Sequence, residues 1–97
     1  MPIAMFMEWP GVSKEQYDEV RKEVNWEGDK PDGGMFHVAS FDAAGLRVFD
    51  MWESAEHFNR FVERRLMPGV QKVGIAGQPK VEVLPVHATY TPAFRPA

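Results

Sequence analysis

Between Leu46 and Leu66 the hydrophobic period of the chain changes, and that change constrains the fold more than any other stretch. From Leu46 to Glu53 (LRVFDMWE) β-branched, aromatic and long apolar side chains crowd together without helical spacing, which predicts a strand. Ser54 then offers an N-cap oxygen, and Ala55 and Glu56 put a helix former and an acid into the first turn. Phe58, Phe61, Val62 and Leu66 follow at helical intervals and make one apolar face. A strand therefore runs through a tight corner into a helix. Asp50 and Trp52, two residues apart, share one face of that strand.

Upstream, Met35 to Phe41 reads as a second strand, joined to the one above by Asp42-Ala43-Ala44-Gly45. Asp first and Gly fourth suit a type I turn and a four-residue hairpin loop. That loop pairs Phe41 with Leu46, Ala39 with Val48 and His37 with Asp50. Opposed residues share a face, so His37, Asp50 and, diagonally, Trp52 are predicted to sit together. Phe36, Val38, Phe49 and Met51 fall on the other face. A slip of one residue would undo the whole set.

The remaining segments fit around this hairpin. Ile3 to Glu8 is an apolar run with bulk on both parities, a strand covered on both sides, ended by Trp9-Pro10-Gly11. Ser13 with Gln16 fits a capping box, and Val12 with Tyr17 a hydrophobic staple, opening a helix to about Asn25. Its inward stripe is Tyr17, Val20 and Val24; the opposite face, with Asp18, Lys22, Glu19 and Glu23, is solvated. Trp26 to Gly34 (WEGDKPDGG) is loop chemistry, longer than usual connections. After the second helix Met67-Pro68-Gly69 predicts a kink, or a restart with Pro68 at the first helical position. Gly74 suits a C-terminal cap, with Ile75 reaching Val70. Lys80 to Tyr90 reads as a last strand, with Pro85 demanding an edge or a bend. Residues 1–90 make one domain, and 91–97, with two prolines, an extended tail.

Composition excludes several classes. The chain has 97 residues, one domain's worth, and at that size buries only about 65% of its unfolded surface. Net charge is −3 with no block of one sign, so neither nucleic acid nor an anionic membrane has a footprint. There is no cysteine, hence no disulfide or thiolate metal site. His37, His57 and His87 lack metal-ligand spacing, and no phosphate-cradling glycine pattern or nucleophile elbow occurs. MPIAMFMEWPG lacks a basic leader and is too short to span a bilayer, which points to a cytoplasmic protein. No metal and no cofactor is expected.

The order strand, helix, strand, strand, helix, strand is the ferredoxin-like βαββαβ arrangement: an antiparallel α+β sheet with both helices on one face. Every strand carries apolar residues at both parities, yet two helices cover only one side. The other side would expose a larger apolar patch than soluble monomers usually tolerate. A homodimer packed through the helix-free sheet faces resolves this.

In this element order, in the Trp52-Glu53-Ser54 corner leading to Phe58, and in Pro85-Val86-His87 near the end, the chain resembles the dimeric α+β barrel superfamily. Over roughly residues 3–90 it is most similar to antibiotic-biosynthesis-monooxygenase-like proteins. The resemblance implies homodimers with a pocket between helices and sheet. Among such proteins some oxygenate polycyclic aromatic molecules without metal or flavin, others degrade haem, and several have no established role. The haem-degrading pattern matches Trp52 but wants a His where Val62 stands and an Asn on the first strand, where Met5, Met7 and Glu8 stand. Haem degradation is therefore disfavoured.

His37 and Asp50 are the candidate catalytic pair, since a carboxylate fixes the tautomer of an imidazole and raises its basicity, as proton abstraction from a phenol requires. Alternatively the two only satisfy each other on a half-buried face. Trp52 is either a flat wall for an aromatic ligand or simply core. Tyr17 either lines the pocket with its hydroxyl or serves only as a staple. His87 enters the same pocket, or caps the dimer seam, or is structural. His57 is expected to face water, and Arg47 to lie near the dimer interface. The function expected is a cofactor-independent monooxygenase-like enzyme acting on a small apolar aromatic molecule; the alternative is a non-catalytic small-molecule-binding or structural dimer.

Overall fold

The computed structural model describes residues 1–93, in the order β1 (Ile3–Pro10), α1 (Lys14–Val24), β2 (Gly34–Phe41), β3 (Gly45–Trp52), α2 (Ala55–Phe61), α3 (Met67–Val73) and β4 (Lys80–Pro85). The strands form one antiparallel sheet in the order β2-β3-β1-β4, which is the ferredoxin-like topology expected.

The hairpin adopts the register that its loop length dictates. Phe41 opposes Leu46, Ala39 opposes Val48 and His37 opposes Asp50. The Asp42 carboxylate ties the turn by accepting from the backbone N–H groups of Ala44 (2.8 Å) and Gly45 (3.1 Å) and from Arg47 (3.0 Å). The Ala44 amide first, and then Arg47 and Gly45, hold this carboxyl below the usual range. At its far end the ladder skips a residue. Gly34 opposes Trp52 and Phe36 opposes Met51, so Met35 is the extra residue of a bulge.

α1 opens with the capping box: the Ser13 hydroxyl accepts from Gln16 N–H (3.1 Å) while Ser13 N–H donates to the Gln16 side chain (2.9 Å). Asn25 ends it in the left-handed region at φ 57°. α2 starts on Ser54 as the strand-to-helix corner requires. It runs without a break through a widened π-type turn, Val62–Leu66, into α3. The turn is shaped by Pro68. A proline ring crowds the carbonyl four residues back and offers no N–H, and the chain widens ahead of it so that Met67 N–H reaches Val62 O. The expected kink is thus a bulge in one rod, with Pro68 in the first turn of α3. Gly74 caps the rod at φ 84°, and the N–H groups of Gly74 and Ile75 both donate to Val70 O, at 3.0 and 3.2 Å.

Two strand ends differ from expectation. β1 continues past Glu8 to Pro10, because beyond Glu8 no β4 residue flanks it and a missing donor on that side costs nothing. Trp9 is thereby a core residue, opposite Leu46. β4 stops at Pro85 instead of reaching Tyr90, since Pro85 cannot donate; one further bond, Val86 N–H to Pro2 O (3.0 Å), ends the pairing. Of the expected tail, residues 94–97 lie outside those described.

The core lies between the sheet and the helices. Ile3, Met5, Met7, Leu46, Val48 and Trp52 meet Val20, Val24, Phe58 and Val70, and Met5 is 1% exposed at the centre. The helix-free face carries Ala4 and Phe6 from β1, Phe36 and Val38 from β2, Phe49 and Met51 from β3 and Leu84 from β4, as the pairings require. Phe6, Val38 and Leu84 are 43%, 42% and 46% exposed.

Candidate functional site

Asp50 is the buried charged residue of the described chain, 6% exposed on a central strand between Met5 of β1 and His37 of β2. A carboxylate in such a place requires donors for both oxygens. It has them. His37 Nδ1 lies 2.7 Å from Oδ1, and Trp52 Nε1–H donates to Oδ2 at 3.1 Å. Both partners follow from strand geometry, His37 by direct opposition and Trp52 by its position two residues along the same face.

An ionised carboxylate only accepts, so the neutral imidazole carries its proton on Nδ1 and leaves Nε2 with a lone pair. The Tyr17 hydroxyl, projecting from α1, lies 2.6 Å from that Nε2. Four side chains from three elements thus form one line: Tyr17, His37, Asp50, Trp52. Burial pushes the Tyr17 hydroxyl above its ordinary pKa; Arg21 opposes the shift, and the charges of Asp50, Asp18 and Glu27 add to it.

Aromatic rings fix the imidazole from two sides. Tyr17 lies parallel to it with centroids 6.1 Å apart, and Trp26 meets it edge-on at 5.2 Å. Trp26 is brought in by the loop after α1, and no local pattern in the sequence places it beside His37. Its signal was an aromatic residue opening an otherwise polar loop. Beyond the polar line is a cavity of about 250 Å³ between helices and sheet. Apart from these groups its wall is apolar, with Met5, Met7, Val48, Phe58, Phe61 and Leu66 among the lining residues. Trp52 forms part of that wall, with Phe61 at 5.1 Å and Phe58 at 5.7 Å between ring centroids.

His37, Asp50, Trp52 and Tyr17 therefore come together at one cavity. His87 does not join them. It is exposed beyond the end of β4 and does not line the cavity, because Pro85 ends the strand that was to carry it inward. His57 is not free in water but partly buried, its Nδ1 2.6 Å from Ser54 Oγ. Arg47 stands on the helix-free side, paired with Glu8 (3.2 Å) and Asp42 (3.0 Å). Among the described residues no cluster of three or more histidines, aspartates or glutamates could hold a metal ion, and no helix is long and apolar enough to cross a membrane.

No protein-family model matches the chain, and no curated protein matches it. Solved structures do. A Nitrosomonas europaea protein of unknown function, NE2512, superposes with a TM-score of 0.71 at 15% identity, covering 95% of each chain. SnoaB, a cofactor-independent oxygenase from Streptomyces nogalater, gives 0.61 at 10% identity, covering 91% of this chain and 93% of its own. The ActVA-Orf6 monooxygenase of Streptomyces coelicolor, solved with nanaomycin D, gives 0.60 at 16% identity over 95% and 92%. At these identities the likeness is one of fold. The chain has the ferredoxin-like α+β fold shared by the antibiotic-biosynthesis-monooxygenase-like proteins.

Proposed function

We propose that the protein is a cofactor-independent monooxygenase-like enzyme acting on a small apolar phenolic molecule in the cavity, and that it works as a homodimer joined through the helix-free sheet face. The observation that carries the catalytic reading is the Tyr17–His37–Asp50–Trp52 line at the edge of an apolar cavity of about 250 Å³. His37 Nε2 takes the phenolic proton, Asp50 holds the ring in the required tautomer and steadies the imidazolium, and Trp52 flanks the substrate ring. The Tyr17 hydroxyl occupies the place at Nε2 that a substrate hydroxyl would take, so it yields that place or passes the proton along. The phenolate then reduces dioxygen. One oxygen atom enters the ring, giving a quinone, and the other leaves as water with the two substrate hydrogens. The fold shared with SnoaB and ActVA-Orf6 supports this chemistry.

One observation favours the non-catalytic reading. Tyr17 fills the second nitrogen of His37 at 2.6 Å, so the polar line is complete with no ligand. Oxygen uptake with 1-naphthol or anthrone, comparing the native chain with His37→Ala, separates the two. Loss of about 10²- to 10⁴-fold in turnover with an unchanged fold supports the enzyme. No uptake by the native chain, with marked destabilisation of the variant, supports the structural reading.

A further inference from the structure

A second recess, about 280 Å³, lies beside the cavity between the loop after α1 and the α2–α3 rod. Pro31 and Phe61 line both. Phe61 stands at the border where the two spaces meet. The Trp52 ring lies 5.1 Å from its centroid and the Arg65 guanidinium 5.6 Å. The two spaces differ sharply in character. The recess gathers Lys30, Arg60, Arg64 and Arg65 against Asp29 and Asp32, two positive charges in excess in a chain whose net charge is −3.

These charges are not equally committed. Arg65 is structural: its guanidinium donates to Val24 O (2.9 Å) and Asp29 O (2.7 Å), closing the end of α1. Asp29 lies 3.9 Å from Arg65, and Asp32 lies 3.9 Å from His57 Nε2. Lys30, Arg60 and Arg64 have no hydrogen-bond or ion-pair partner among the described residues. Three cationic side chains that line one recess without a partner suit an oxyanion, which would take charge-assisted hydrogen bonds from them.

We propose that this recess is an oxyanion subsite, in which Arg60, Arg64 and Lys30 hold a carboxylate or phosphate group of the ligand whose aromatic part fills the cavity. The inference rests on the reading of the cavity as a ligand site. It narrows the substrate class to aromatic molecules bearing an anionic group.

The test is a set of matched probes, 2-naphthoate, 2-naphthyl phosphate and the uncharged methyl 2-naphthoate, titrated by quenching of tryptophan fluorescence. At low salt the better of the two anions is expected to bind about tenfold more tightly than the ester. Which anion binds better tells carboxylate from phosphate. The preference should shrink toward 0.5 M salt, roughly the regime where charges are screened within a few ångströms. It should fall severalfold in the double variant Arg60→Gln, Arg64→Gln, which keeps only Lys30 of the three, while affinity for the ester stays unchanged. Both arginines are exposed, so the fold tolerates the change, and the salt series on the native chain reads the same charge effect without any variant. Equal affinities for ester and anions, or a preference undiminished in the double variant, would overturn the subsite while leaving the cavity standing. Failure of every probe to bind would overturn both.

Discussion

At the scale of single residues, Asp50 is the group on which the site depends. Asp50→Ala leaves His37 Nδ1 and Trp52 Nε1 without an acceptor, each costing roughly 1–3 kcal/mol where water cannot replace it. A loss of about 2–4 kcal/mol in urea unfolding is expected, whereas Asp50→Asn, which keeps the volume and one acceptor, loses less. Tyr17 gives a pH-dependent counterpart. Its hydroxyl is raised in the folded chain by burial, so its contribution is fully present below the unfolded value near 10 and is lost as pH rises through the folded value. Stability should therefore fall through the alkaline range above pH 10, and Tyr17→Phe should remove that part of the fall, as denaturant titrations at stepped pH would record. The His37–Asp50 contact was legible because a four-residue turn sets hairpin register. The Tyr17–His37 contact was not, since nothing local fixes how α1 crosses β2. Arg60 and Arg64 did leave a trace, two like charges four apart on one helix, but their convergence with Lys30 depends on where the loop folds back.

Among elements, α1 and the α2–α3 rod pack closely against each other. Gly69 is the point of approach, and a Cβ there would stand 2.7 Å from a Val24 methyl that is itself buried. In an open helix Gly→Ala gains nearly 1 kcal/mol, but overpacking a close contact costs roughly 1–3 kcal/mol. Gly69→Ala is thus expected to lower stability by about 1 kcal/mol, and a rise in thermal midpoint would mean the helices part freely. Elements with strong local signals were legible: the Ser13 and Ser54 caps, the hairpin and the Gly74 stop. Those whose limits depend on neighbours were not. β1 runs on to Pro10 because β4 has already left its flank, and β4 ends at Pro85, stranding His87 outside the cavity. The π-type turn before Pro68 is a compromise between the ring and continued burial of Leu66 and Val70 along one rod, and no residue type announces it.

For the whole molecule, the decisive quantity is the apolar surface left on the helix-free face. Phe6 and Phe49 pack at 5.2 Å and Phe49 against Phe36 at 6.1 Å, so the patch is a continuous aromatic surface bordered by Val38 and Leu84. The proposed homodimer buries it about a two-fold axis, and then each substitution appears twice at one interface. Val38→Glu is a sharp probe. At 42% exposure in the isolated chain, the change should alter monomer stability by only about 0.5 kcal/mol. In the dimer it would place two carboxylates in an apolar seam, at several kcal/mol, enough to weaken association by about a hundredfold or more. Sedimentation at micromolar concentration is expected to give twice the 11.1 kDa chain mass for the native protein and the single chain mass for Val38→Glu. A native chain sedimenting at 11.1 kDa would remove the dimer yet leave the cavity and its polar line, because the residues of both come from one subunit.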